Sequence, residues 1–328
     1  MTTIAIMAGG NSSERKISLK TAQQILESID KSRFTPVIVD VKGTRWMAIV
    51  DGEKYPIDKN TFSFQRKNRR IRFRFAWIAI HGTPGENGML QGYLDCLNIP
   101  YSSCSTLVSA LTFDKHMCKM YLQHFDIHMA KSILVREGDN IHVEQITEQL
   151  GLPLFVKPNT SGSSFGVSKV KKSEDLVTAL EKAFKEDNEV IVEAFISGTE
   201  VSCGVFKSKT ASYVLPVTEI VSPNEFFDYH AKYFSKKTQE ITPARISEEL
   251  TQQVQHYTSE VYDALHCHGI VRVDFIISNN IPYFLEINSV PGMSRESIIP
   301  KQLRTAGIDI TSFLSEVIDD RMRSKQCK

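Results

Sequence analysis

The six cysteines of the 328-residue chain (Cys96, Cys104, Cys118, Cys203, Cys267 and Cys327) include no CxxC pair and read as the scattered, reduced thiols of a cytosolic enzyme. A net charge is missing too. Lysine plus arginine (39) nearly cancels aspartate plus glutamate (38), which excludes the strong field that recruits nucleic acid or an anionic membrane. No segment reaches the ~18 uninterrupted apolar residues that a membrane span needs, and the opening MTTIAIMAGG carries no basic leader. A cytoplasmic protein with a small-molecule substrate is expected, with no nucleic-acid and no membrane partner. No GxGxxG follows the first strand, so a dinucleotide-binding oxidoreductase is excluded. There is no internal repeat and no low-complexity segment. What is present is a 41% apolar composition, enough for two or three domains with a buried core in each.

Hydrophobic patterning predicts strands at Ile4 to Met7, Pro36 to Val39 and Phe75 to Ile80, with a helix carrying Ile17, Ala22, Ile25 and Leu26 after the first. Strands alternating with helices imply a parallel sheet in residues 1 to about 103. A helix is expected over Phe113 to Phe125, and another begun by Ser173-Glu174-Asp175 with the serine as cap. Strands follow at Leu154 to Lys157, Val167 to Val170, Val190 to Glu193 and Glu200 to Phe206. After Leu250, Val254, Tyr257, Val261 and Leu265 on one helix face come two more strands, Val271 to Ile276 and Pro282 to Asn288. The basic stretch Gln65 to Arg70 lacks interleaved aromatics and reads as a solvated turn. His266-Cys267-His268 reads as helix-end packing, because no second ligand pair lies at zinc spacing.

Lys157 to Gly166, KPNTSGSSFG, has the small residues and hydroxyls of a phosphate cradle, but its lysine precedes both glycines and lies on a strand. It is not a Walker A loop. Arg272 and Asp274 point to one face of their strand, as do Glu286 and Asn288 of theirs. If the two strands pair antiparallel, hard oxygen ligands suited to magnesium converge beside an arginine suited to an anion. An ion pair on an exposed edge accounts for the same residues. The turn after Asn288, with Gly292 as an oxyanion donor, together with Lys115, Lys157 and Glu193, favours nucleotide-dependent phosphoryl transfer.

Seven stretches in register carry a resemblance: AGGNSSERKISL from Ala8, HGTPGENGMLQG from His81, SALTFDKHMCK from Ser109, VKPNTSGSSFGVSKV from Val156, EFFDYHAKY from Glu225, VRVDF from Val271 and LEINSVPGMSRESIIP from Leu285. Over essentially its whole length the chain resembles the ATP-grasp ligases, and within them the D-alanine–D-alanine ligases. The resemblance implies an α/β, three-domain ATP-grasp fold. Residues 1–103 would be an N-terminal parallel-sheet substrate domain, 104–192 a central subdomain and 193–328 a catalytic subdomain, the last two being α+β blocks that enclose ATP. It implies ATP contacts from Lys115, Lys157, Glu193, Ala194, Phe195, Ile196 and Glu200. Magnesium, two ions with manganese as a substitute, would sit on Asp274, Glu286 and Asn288. Arg272 and the Gly292 N–H match an oxyanion-stabilising pair, and Glu14 and His81 positions near the first D-alanine. Ser297 matches a hydroxyl for the second substrate's carboxylate. Glu14, Ser163 and Tyr233 match a linked triad, with Lys232 beside it for phosphate. A homodimer is implied as well.

Chemistry explains the parts. A carboxylate is a poor electrophile, so the first D-alanine must become an acyl phosphate, and charge repulsion with the triphosphate must be offset by cations. Asn224 to Glu240, rich in aromatics, is the expected lid against water. The resemblance implies that Tyr233 favours D-alanine over D-lactate as the second substrate, and a non-catalytic ATP sensor would not need both metal ligands and an oxyanion donor. The sequence departs from the family pattern at Lys16, at Asn87 and in SVPGMSRES, where Arg295 and Glu296 flank Ser297.

Overall fold

The computed structural model describes residues 1–12, 14–162, 165–221 and 239–326. Strand β1 (Thr2–Gly9) is buried without exception from Ile4 to Ala8. Its side chains alternate between two cores: Ile4, Ile6 and Ala8 enter one, Ala5 and Met7 the other. A strand that is apolar on both faces needs cover on both. Helix α1 (Arg15–Ser28) supplies Ala22 and Ile25 to the first core, and α2 (Met89–Cys96) supplies Leu90 and Leu94 to the second.

β1 pairs in parallel with β2 (Phe34–Lys42) and β7 (Phe75–Ile78). The parallel sheet expected for this region holds only for these strands. β3 (Arg45–Val50), β4 (Glu53–Asp58), β5 (Ser63–Arg66) and β6 (Arg69–Arg72) continue it as antiparallel hairpins, giving a mixed seven-stranded sheet in the order β6-β5-β4-β3-β2-β1-β7. The reason is connection length. Asp51-Gly52 and Lys67-Asn68, all at positive φ, are tight turns, whereas a parallel crossover needs a dozen or so residues. Lys67-Asn68 is the tip of the basic hairpin.

The helix expected over Phe113 to Phe125 is broken. Helix α3 (Thr106–Phe113) ends at Asp114, whose extended backbone stops it and whose side chain accepts the Met117 N–H at 2.8 Å to start α4 (Lys115–Leu122). Lys115 is thereby the first residue of a helix.

Strands β8 (Ser132–Arg136), β9 (Leu154–Pro158), β10 (Ser168–Val170) and β11 (Glu189–Ala194) form a second, antiparallel sheet in the order β10-β9-β11-β8. Helices α5 (Val143–Leu150) and α6 (Leu176–Phe184) close over Val156, Val190 and Val192. Ser173 does not cap as expected. The chain makes a tight 3-10 turn over Ser173–Asp175, and Asp175 precedes α6 as its N-cap residue without a side-chain cap bond.

The third sheet runs β15 (Gln239–Ile241), β14 (Thr218–Val221), β12 (Thr199–Lys207), β16 (Val271–Ser278), β17 (Ile281–Asn288), with β13 (Ser212–Val214) beside β12. Helix α7 (Glu248–Ala264), capped by Ser247, buries Val254 and Val261 on it. After α8 (Ile298–Thr305), α9 (Ile310–Gln326) sends Phe313, Leu314 and Val317 into the core that holds Ile4 and Ile6. The chain's end therefore clamps the third sheet to the first.

Candidate active site

The antiparallel pairing of β16 with β17 sets Arg272 opposite Asn288 and Asp274 opposite Glu286. All four line one cavity of about 190 Å³. Arg272 holds Asp274 through both carboxylate oxygens, Nε to Oδ1 at 2.8 Å and Nη2 to Oδ2 at 2.7 Å, and Ser202 Oγ donates to the same Oδ1 at 2.6 Å. Asp274 is 4% exposed, which rules out an ion pair on an exposed edge. Burial by itself would lower the Arg272 pKa, but the Asp274 and Glu286 carboxylates more than offset it and push the pKa up.

Asn288 Oδ1 accepts the Val290 N–H at 3.0 Å and opens the turn to Gly292. A Cβ on Gly292 would stand 2.9 Å from Ser297 Oγ, closer than such contacts tolerate, so glycine lets the turn meet Ser297. Ser297 is the N-cap residue of α8 but makes no cap bond with its side chain. Its Oγ instead shares a hydrogen bond with Ser294 Oγ at 2.7 Å on the cavity rim.

Glu14 and His81 reach the same cavity from the first sheet. Burial pulls the His81 pKa down, but Glu86, 3.8 Å away, and Glu14 outweigh both this and Arg272, so the net shift is upward. His81 Nε2 is buried without a hydrogen-bond partner among the described residues.

A second cavity, of about 130 Å³, has an apolar slot of Phe155, Ile196, Phe284 and Leu285 and a charged end of Lys119, Lys157 and Glu193. Lys115, Ser161, Glu200 and Glu286 line both cavities. The two are neighbours across this shared wall. Glu193, Ala194 and Ile196 line this cavity, whereas the Phe195 ring packs 5.8 Å from that of Phe155 and beneath Lys169 Nζ at 3.9 Å.

The strand placement expected for Lys157 holds. The polar groups after it turn largely inward: Thr160 donates twice to Asp187 Oδ2, and Asn159 pins the loop to α4 through Asp114 and the His116 N–H. Lys115 Nζ donates to Ser161 O at 2.6 Å, and burial lowers its pKa. At Gly162 the loop passes Glu14, whose Oε2 would be 3.2 Å from an added Cβ.

Residues 3–104 match the family profile described as D-ala D-ala ligase N-terminus, and 121–319 the one described as D-ala D-ala ligase C-terminus. The D-alanine–D-alanine ligase of Phocaeicola vulgatus is 51% identical over 97% of this chain and 99% of its own. The chain belongs to the D-ala D-ala ligase family. Among solved structures, VanG D-Ala:D-Ser ligase from Enterococcus faecalis superposes with a TM-score of 0.88 at 31% identity, over 97% of this chain and 98% of that one. The Bacillus anthracis D-alanine–D-alanine ligase complexed with ATP gives 0.80 at 29% identity, over 99% of both chains. The fold is that of the ATP-grasp ligases, as the sequence implied.

The sequence reading did not single out two residues that line these cavities. Lys119 pairs with Glu193 in the nucleotide-side cavity, and Ser202 holds Asp274. Lys119 had a signal, since it lies four residues after Lys115 and so on the same helix face. Ser202 had none, because only the pairing of β12 with β16 sets it opposite Asp274. Ser163, Lys232 and Tyr233 lie outside the described residues, as does most of the expected lid, 224–238. Among the described residues no three His, Cys, Asp or Glu side chains gather as a metal cluster, His266-Cys267-His268 included, and no helix is long and apolar enough to cross a membrane.

Proposed function

We propose that this chain joins two D-alanines into D-alanyl-D-alanine for peptidoglycan synthesis, using ATP. The observation that carries the reading is the register of β16 and β17, which gathers Arg272, Asp274, Glu286 and Asn288 in the cavity that Glu14 and His81 reach, with Glu286 shared with the nucleotide-side cavity. The apolar slot suits a purine, and Glu200 would meet the ribose. Lys115 and Lys157 would hold the phosphates. Asp274, Glu286 and Asn288 fit magnesium, because they offer two carboxylates and an amide, all hard oxygen donors, and leave positions for phosphate oxygens. When bound, magnesium offsets the triphosphate's charge.

Glu14 receives the ammonium of the first D-alanine, with His81 beside it. The substrate carboxylate oxygen attacks the γ-phosphorus, ADP departs, and the carbonyl carbon gains a phosphate leaving group. Ser297 Oγ holds the carboxylate of the second D-alanine, whose amine attacks that carbon. The oxyanion meets the Gly292 N–H and the donors of Arg272 not spent on Asp274. Collapse expels phosphate, the amine proton is lost, and the peptide bond remains. Ser163, Tyr233 and Lys232 are assigned loop coupling and phosphate contact on the resemblance alone, as is a homodimer; a cytoplasmic location fits the use of ATP.

Phosphate release from ATP and magnesium, with and without D-alanine, tests the reading. D-Alanine-dependent release with dipeptide formation is expected; release that ignores D-alanine would sink it.

A further inference from the structure

Both oxygens of the Glu193 carboxylate are taken: Oε1 by the Lys119 ammonium, Oε2 by Lys157 Nζ at 2.5 Å. All three side chains are largely withdrawn from water, with Lys119 at 8% exposure, Glu193 at 6% and Lys157 at 15%. Three elements converge to make the cluster. Helix α4 turns Lys119 to the same side as Lys115, and β9 pairs with β11 so that Lys157 and Glu193 are diagonal neighbours on one face. The cluster closes the charged end of the cavity whose other walls are Phe155, Ile196 and Phe284.

One carboxylate between two ammoniums leaves a surplus positive charge. A Glu193–Lys157 pair without Lys119 would be neutral, and in a dry wall the two would hold each other tightly. Lys157 would then be committed to Glu193 at the moment it must face a phosphate. We propose that Lys119 is a positioning residue for ATP: by sharing Glu193 it keeps Lys157 and its charge available to the nucleotide's phosphates. Lys119 touches the carboxylate, and its effect on the nucleotide passes through Lys157. The inference rests on the ligase reading only for the identity of the nucleotide.

Titration calorimetry of the full chain with ADP and with adenosine, without D-alanine, tests it. For Lys119→Met, ADP affinity should fall roughly tenfold and adenosine affinity should hold within about twofold, since the lost term is charge felt by phosphate. Lys119→Arg should restore ADP binding. Equal weakening of ADP and adenosine would reduce Lys119 to packing and overturn the proposal, and so would unchanged ADP binding. If Lys119→Met does not fold, Lys119→Gln keeps a hydrogen-bond donor for the Glu193 carboxylate and removes only the charge: it should lose ADP affinity roughly tenfold with adenosine held within about twofold, and unchanged ADP binding would overturn the proposal. In turnover, KM for ATP should rise while kcat stays within about twofold. Failure of the ligase reading is visible separately, as phosphate release by the parent protein that ignores D-alanine.

Discussion

Arg272 and Asp274, two residues apart on one strand, grip each other through two parallel hydrogen bonds of 2.8 and 2.7 Å. The fork geometry fixes the guanidinium plane and so aims its remaining donors into the cavity. A lysine keeps the charge and loses the plane. Arg272→Lys is expected to lower kcat by about 10²-fold or more, with a smaller change in KM for ATP, measured by steady-state phosphate release. An unchanged kcat would remove Arg272 from the oxyanion site.

Ser202→Ala deletes the 2.6 Å hydrogen bond to Asp274 Oδ1. A hydrogen bond to a charged group is worth about 1.5–3 kcal/mol, or roughly tenfold and upward. The magnesium concentration for half-maximal activity should rise by about that factor. A variant with unaltered magnesium dependence would show that Ser202 does not orient the carboxylate.

His81 provides the pH prediction. Its pKa is raised above 6.5 in the folded protein, so the fold favours the imidazolium. The stabilisation is therefore fully present below the unfolded value and fades as pH rises through the folded value. Urea denaturation of the parent and of His81→Gln, at about pH 5.5 and about pH 8.5, should show the larger stability gap at the lower pH. A gap that widens with pH would reverse the assigned sign.

Tyr233→Phe, a test that rests on the resemblance, should increase D-lactate use relative to D-alanine by roughly two- to tenfold, the value of one hydrogen bond. Competition assays across pH, with the two products separated, measure the ratio. A constant ratio would take Tyr233 out of second-substrate selection.

Both the buried strand Ile4 to Met7 and the placement of Lys157 on a strand were legible from residue pattern, because a strand's burial is written in its own side chains. The hairpins between β2 and β7 were not read, although Asp51-Gly52 and Lys67-Asn68 mark two of the turns. Asp114 likewise concealed a helix break inside an apolar pattern. Tertiary context decided these, since a short polar side chain can cap the next helix as readily as decorate the first.

For the site, the sequence by itself determined which residue types stand two apart on strands, and hence that Arg272 shares a face with Asp274 and Glu286 with Asn288. Whether those faces met was a matter of register. Register depends on partners distant in the chain, and the pairing of Asp274 with Glu286 across β16 and β17, like that of Ser202 with Asp274 across β12 and β16, exists only in the assembled sheet. The same holds for Lys119, Glu193 and Lys157: one helix and two strands had to pack before one carboxylate could lie between two lysines.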